Sequence, residues 1–513
     1  MSQESNSTLN RARPYQLVLF PLNNGATNVY FVLVLSYVLN FGSGVLGMAA
    51  VFVSVLITGM RVCDAITDPV IGALIDKTNG KFGKFRPFMV LGNLIMAGSI
   101  LILYIFTPFI PEHMMWLRYA AFIALYFVWV IGYTFQTACT RSGQTVLTND
   151  PKQRPMFTLF NTVGSLVGMG VMQVLAPVVG RAQGGYNTEG FFAALAPVGI
   201  VVSLVLTALA VAGIWEKDRP EYFGVGGQQE KVKASEYIRI IRCNKPMKRL
   251  MVAGAGCKLA LAVANHTAVL CMLYGCMMGD YDGLYLPMMA IGYACSAPFF
   301  VLTIRTSQKK GQKASLVRYV GVALACYVAV LVLLLLWRQG DPARNLSILG
   351  ESGLSLNLYT VLFILFFGAG YGAYYSTADM PIPMVADCAD YETYRSGKYI
   401  PGIMGTLFSL VDKLVSSLAS LVVTIAVGSI GLNAIPDQYS SYVPGMNMVV
   451  IVLFCAIPMF AWAATLIAMK GYTLTGERMK TIQAVNAARK EAVAGGMSLE
   501  QAMKEITDDI VKV

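Results

Sequence analysis

The sequence predicts an all-α membrane protein of twelve transmembrane helices in two six-helix bundles, and three observations carry that expectation. The first is composition. Of 513 residues 56% are hydrophobic and 13% charged, whereas soluble domains carry about 25% charged residues, so one water-soluble core cannot hide the apolar side chains. The second is spacing. Apolar segments long enough to cross about 30 Å of hydrocarbon fall at 15–40, 45–73, 87–108, 117–140, 157–180 and 192–214, then at 247–275, 283–304, 314–337, 356–380, 401–430 and 444–470. The third is the stretch "EKDRPEYFGVGGQQEKVKASEYIRIIRCNKPMKR" between the sixth and seventh segments, which is too polar to span. The predicted organisation is a polar N-terminus (1–14), a first bundle (15–214), a connector (215–246), a second bundle (247–470) and a tail (471–513).

Orientation follows from the basic residues. The loops after the second, fourth, sixth, eighth and tenth segments hold most of them, among them Lys81, Lys152, Lys231, Lys309 and Arg395, and the opposite loops hold few. Both termini are therefore predicted to be cytoplasmic. The net charge of +11 is spread through these short loops, which argues for topology and against nucleic-acid binding. "MSQESNSTLNRARPYQ" leads into a long apolar segment with no small-residue cleavage pattern behind it, so it reads as the start of a first span and not as a signal peptide. Ten isolated cysteines without CxxC or Cys/His metal spacing read as free thiols. Beyond the last span, "TGERMKTIQAVNAARKEAVAGG" and "SLEQAMKEITDDIVKV" predict two short amphipathic helices in a solvated tail, the second opened by a Ser498/Gln501 capping box.

The second segment carries charges that a passive membrane helix would not. Asp64 and Asp68 are four residues apart, so on a helix their carboxylates point the same way, with Arg61 one turn earlier. Eight residues separate Asp68 from Asp76, which puts Asp68 about 12 Å along the helix from its cytoplasmic end. Intramembrane carboxylates are costly and mark ion or proton pathways. The alternative is a buried ion pair of Arg61 with one aspartate, which leaves the second unexplained. Two neighbouring carboxylates without a full set of countercharges share a proton or hold a small cation, and oxygen ligands suit a hard cation.

The run "RVCDAITDPVIGALIDKTNGKFGKFRPF" (61–88) resembles the signature of the glycoside-pentoside-hexuronide:cation symporter family, the melibiose-permease-like branch of the major facilitator superfamily. "MVADCADYETYRSGKYIPGIMGTLFSLVDKL" (384–414) resembles that family's loop and span after the tenth helix, and "YTLTGERMKTIQ" its ending. The resemblance covers about residues 15–490. It implies the major facilitator fold, alternating access, and symport of a sugar-like solute across the cytoplasmic (inner) membrane. The coupling cation is Na+, Li+ or H+, with no other cofactor. Carried over residue by residue, the family's cation site matches Asp64, Asp68 and Thr134, and its eleventh-span lysine matches Lys413, next to Asp412. Its cytoplasmic gate loop matches Asp76, Lys77, Gly83, Lys84, Arg86 and Pro87. With Arg61 these are the expected coupling and gating residues, the loop holding the outward-open form through charge pairs with the partner bundle.

Departures from the family bear on the solute. Asn28 and Thr137 stand where melibiose-type transporters place two sugar-binding aspartates, and Asn161 or Thr162 where they place an arginine, so the galactoside recognition set is absent. Thr67 replaces an asparagine beside the second carboxylate. Instead, Arg141 follows Thr137 by four residues, and Lys258 and His266 lie eight apart, near one face of the seventh span. Asp379 and Asp412 are extra acids in spans ten and eleven. One reading makes the cavity basic and the solute anionic, a uronide or carboxylated glycoside. The other pairs Lys258 with Asp379 or Asp412 as a gate, and His266 reads as a satisfied polar residue or a proton carrier. Tyr30 and Tyr375 are candidate rings for a sugar face, with packing or interfacial anchoring as the alternative. "GAGYG" (368–372) lies inside an apolar span with no strand before it, which predicts close helix packing rather than a dinucleotide loop.

The expected function is secondary active transport, coupled to sodium or protons, of a sugar, glycoside or uronide by a monomer in the lipid bilayer. Two alternatives are a symporter of a lysolipid or other amphiphile and an integral-membrane transferase. The second needs a nucleophile, metal cluster or paired acids in a lipid-accessible cleft. The sequence has no HxxxH, no P-loop and only 2 histidines, so no enzyme is expected.

Overall fold

The computed structural model describes residues 11–78, 80–147, 153–219, 243–350, 353–378, 380–397 and 401–507. Every apolar segment read from the sequence coincides with a helix. In the first half, α1 is Pro14–Val45, α2 Ala50–Lys77, α3 Arg86–Phe109, α4 Met115–Leu147, α5 Gln153–Ala182 and α6 Glu189–Ile214. In the second, α7 is a bent pair, Lys245–Ala264 and Thr267–Met277, followed by α8 Tyr281–Lys310, α9 Gln312–Leu336 and α10 Leu358–Thr377. Helix α11, Pro381–Ser396, links to α12, Pro401–Gly428, and α13 is Met446–Lys470. The tail forms α14, Gly476–Ala494, and α15, Leu499–Glu505.

Among the described residues, ten helices are long and apolar enough to cross a membrane, and 11 if the bent pair is one span. Helix α2 has 28 residues, and its described apolar stretch is Ala50–Met60. Outward faces carry exposed Val55, Leu94, Leu335, Phe460 and Ile467, as helices in contact with lipid do.

Local sequence sets the helix ends. Thr188 Oγ1 accepts from the Phe191 N–H to start α6, Asn244 Oδ1 from the Met247 N–H to start α7, and Asn357 Oδ1 from the Thr360 N–H to start α10. Helices α8 and α9 are joined by Gly311 alone, at φ +85°, a left-handed conformation that a side chain would strain. The bend in α7 falls at Asn265 and His266 and turns the chain by 48°. There His266 becomes the N-cap of the second half, its Nδ1 accepting from the Ala268 N–H at 3.3 Å.

The chain forms two compact units, Met1–Gln229 with Val427–Ser440, and Glu230–Ala426 with Ser441–Val513. Chain order had assigned the loop after α12 to the second bundle, but it belongs to the first unit, where Asn187 Nδ2 donates to Ile435 O at 3.0 Å. In that unit α1 and α5 touch backbone to backbone: a Cβ on Gly168 would fall on the Gly25 carbonyl. A buried polar network ties α1, α3, α4 and α6. Asn23 Nδ2 donates to Thr140 Oγ1 (2.7 Å), Thr27 Oγ1 to Gln136 Oε1 (3.0 Å) and Gln136 Nε2 to Met89 O (2.9 Å). Asn93 Nδ2 donates to Ser203 Oγ (2.8 Å) and Thr207 Oγ1 (2.7 Å). With no water competing, such bonds specify the helix arrangement.

The second unit has an aromatic core instead. Tyr327 and Tyr374 pack on Trp462 at 4.9 and 5.3 Å between ring centroids. The glycine run of α10 packs closely, as the sequence predicts, with Gly370 against the Tyr327 ring and Gly372 against the Cys295 backbone.

The tail corrects one expectation, since it is not a solvated appendage. Helix α14 lies on α11 and buries Ile482 and Val485. Arg489 Nη1 donates to Tyr394 O at 2.7 Å and its Nε to Ile506 O at 3.0 Å, with the guanidinium 5.2 Å from the Tyr394 ring. Asn486 Nδ2 donates to Asp390 O at 3.0 Å. The apolar stripe that marked these helices as amphipathic is their docking face. The capping box is present: Ser498 Oγ accepts from the Gln501 N–H, and Gln501 Oε1 from the Ser498 N–H.

Candidate functional site

Helices α1 and α2 both pack along α4. This sets Asn28, Asp68, Thr134 and Thr137 on neighbouring helices. The side chains of Arg61, Asp64, Asp76, Lys77 and Arg141, and residue Asp379, lie outside the described residues. Asp68 and Thr67 are half-buried. The buried Thr134 hydroxyl donates to Val130 O at 3.0 Å, and the half-buried Thr137 hydroxyl to Tyr133 O at 3.0 Å. A hydroxyl whose proton is given to the backbone keeps its oxygen lone pairs for a donor or a cation. Asn28 Nδ2 donates to Asn24 O at 2.8 Å.

Tyr30 does not belong with this group. It is fully buried, and its hydroxyl donates to Asn93 Oδ1 at 3.1 Å. Two residues along a helix turn the side chain by about 200°, so Tyr30 faces the α3 packing layer when Asn28 faces elsewhere. Tyr375 is half-buried in a ring cluster between α8 and α10, 5.5 Å from Tyr371 and 5.6 Å from Tyr293.

The loop between α2 and α3 is organised around a residue that the sequence did not suggest. Asp218, after α6, is 0% exposed at its side chain. Its carboxylate accepts from the backbone N–H groups of Lys84 (2.8 Å), Phe85 (3.0 Å) and Arg86 (2.9 Å), and from Arg86 Nε (3.3 Å). The Arg86 guanidinium also lies 4.4 Å from the Trp215 ring. Arg86, expected to reach the partner bundle, is thus engaged inside its own unit. Lys84 Nζ lies 5.7 Å from the Phe85 ring.

In the second unit Lys258 Nζ stands 3.9 Å from Asp412 Oδ1, with side chains 20% and 29% exposed. His266 Nε2 meets Ser420 Oγ at 3.4 Å while its Nδ1 caps the half-helix. Tyr374 OH donates to Asn265 Oδ1 at 3.4 Å, so the bend in α7 is tied to α10 and α12. Lys413 is half-buried, its carbonyl accepting from Ser416 and Ser417.

The family described as MFS/sugar transport protein matches residues 21–476. The chain belongs to this family. It is therefore a transporter of the major facilitator fold and not an enzyme. Among curated relatives, a putative glycoside/cation symporter, YagG of Escherichia coli (strain K12), is 25% identical over 86% of this chain and 88% of its own. An inner membrane symporter of the same organism, YicJ, is 26% identical over 90% and 92%. A solved structure of the nucleoside transporter NupG (D323A mutant) superposes with a TM-score of 0.57 at 11% identity, covering 88% of this chain and 99% of that one, a likeness in fold alone.

Proposed function

We infer that the protein is a cation-coupled symporter that accumulates a neutral, sugar-like solute across the cytoplasmic membrane, both termini facing the cytoplasm. The family match over residues 21–476 carries the reading, and relatives named as symporters support the coupling. The cation, sodium or a proton, binds between Asp64, Asp68 and Thr134. Binding cancels part of the charge on α2 and lowers the cost of closing the bundles around the solute. Because cation and solute favour the same closed state, each tightens the other, by about 1–3 kcal/mol in typical cases.

A neutral solute is favoured over a uronide by the company that Lys258 and His266 keep. Lys258 has Asp412 at 3.9 Å, and His266 is spent on a helix cap and Ser420. Asn28 and Thr137 offer hydrogen bonds of the kind hydroxyls accept and donate. The test is uptake into proteoliposomes of a neutral glycoside and its matched glucuronide, with and without an imposed sodium or proton gradient. Gradient-driven uptake of the neutral compound, abolished by Asp68→Asn, is the expected result. Accumulation unchanged in Asp68→Asn overturns the cation site, and preference for the glucuronide overturns the neutral solute.

A further inference from the structure

We propose that Asp218 is the positioning residue of the cytoplasmic gate loop: its carboxylate winds residues 83–86 into one fixed shape, and the transport cycle depends on that shape. The inference rests on the transporter reading above and adds a residue that neither the family signature nor the sequence pointed to.

The arrangement is specific to a buried anion. Three successive backbone N–H groups, of Lys84, Phe85 and Arg86, converge on one carboxylate together with Arg86 Nε. Such a nest of amides binds negative charge, and bonds to an ionised acceptor are stronger than neutral ones. The Arg86 guanidinium returns a bond to Asp218 O at 3.3 Å. The loop can close this tightly because Gly83 has φ +88°, and a Cβ there would fall on the Asp218 carboxylate. Asp218 lies 134 residues from Lys84 in the chain, so the contact clamps the α2–α3 turn to the end of α6.

The consequence concerns movement more than binding. Asp218 is in the loop at the end of α6, whereas Asp68, Thr134 and Asn28 lie within the helices, so removing it leaves those ligands in place. What it releases is the turn that follows α2, the helix that carries the cation-site acids. With the turn held, α2 and α3 move with the rest of their unit. With it loose, the step that returns the empty carrier is slowed. Asparagine cannot substitute, because its amide nitrogen would face amide donors.

The test uses the full-length protein with Asp218→Asn and, from the other side of the contact, Gly83→Ala. Net gradient-driven uptake and solute exchange are measured in proteoliposomes, and trypsin cleavage after Lys84 in detergent. In both variants the maximal rate of net uptake is expected to fall about tenfold, the loss of roughly one charge-assisted hydrogen bond, with KM and exchange kept. Lys84 becomes cleavable in both and stays protected in the wild type. Equal loss of exchange and net uptake, or a changed KM at full rate, overturns the proposal, and so does an unchanged cleavage pattern. Proteolysis does not depend on transport. If the wild type accumulates no sugar yet the variants open at Lys84, the functional reading fails and the anchor stands.

Discussion

Lys258 and Asp412 form an ion pair at 3.9 Å that joins the first half of α7 to α12, seven residues before the bend at Asn265. Each group offsets part of the charge of the other.

The first prediction follows directly. Lys258→Ala or Asp412→Ala alone breaks a part-buried ion pair and should cost about 1–2 kcal/mol of stability or coupling. Replacing both, Lys258→Met with Asp412→Leu, should recover most of the loss. Uptake and thermal unfolding of the three variants form a double-mutant cycle. Additive losses would mean that the two residues act separately.

A second prediction separates a cap from a proton carrier. His266 Nδ1 accepts the Ala268 N–H where the second half of α7 begins, a task that asparagine performs well. His266→Asn should therefore retain coupled uptake, and His266→Ala should lose about 1 kcal/mol of stability. Loss of proton-driven accumulation in His266→Asn, with solute exchange intact, would restore the carrier role.

The third concerns Tyr30. Because its hydroxyl bonds Asn93 inside the α1–α3 packing layer, Tyr30→Phe should leave the KM for solute unchanged and lower stability by about 1 kcal/mol. An increase in KM with unchanged stability would return Tyr30 to the solute site.

How much of this was legible in the sequence depends on the range of the interaction. Spans of some 20 apolar residues are a local property, and all of the expected segments coincide with helices. The acids of α2 stood out because they break that local rule. The α7 bend was missed because helical spacing of Lys258 and His266 presumes an unbroken helix, whereas Asn265 and His266 end one half and cap the next. Asp218 was invisible for a different reason. One acid after an apolar run is ordinary, and only folding brings it to a glycine turn more than a hundred residues away. The tail failed through ambiguity, since an amphipathic helix reads the same whether its apolar stripe waits for a partner or already has one.

The docked tail makes its own prediction. Arg489 satisfies the Tyr394 and Ile506 carbonyls with a planar fork while stacking on the Tyr394 ring, a geometry lysine cannot copy. Arg489→Lys should release α14 and α15 to limited proteolysis without altering solute KM. A tail as resistant as in the wild type would mean that Ile482 and Val485 hold it unaided.

The last prediction is a pH dependence seated on the same helix. Asp387 lies on α11, outside the membrane-spanning helices, and burial, then the neighbouring charge of Asp390, pushes its carboxyl up from 3.8 to about 6. The folded protein therefore holds this proton more tightly than the unfolded chain does. The stability it contributes is complete below the unfolded value of 3.8 and is lost as pH rises through about 6. The unfolding temperature of the purified protein should fall across that window through this group. Asp387→Asn, which keeps the neutral shape at every pH, should flatten that part of the profile and raise the unfolding temperature at neutral pH. Identical profiles for wild type and variant would remove Asp387 as the cause. Asp387 lies on α11 and the cation-ligand candidates on α2 and α4, so solute affinity in Asp387→Asn should stay constant while stability changes, a split that uptake and unfolding measured on one preparation resolve.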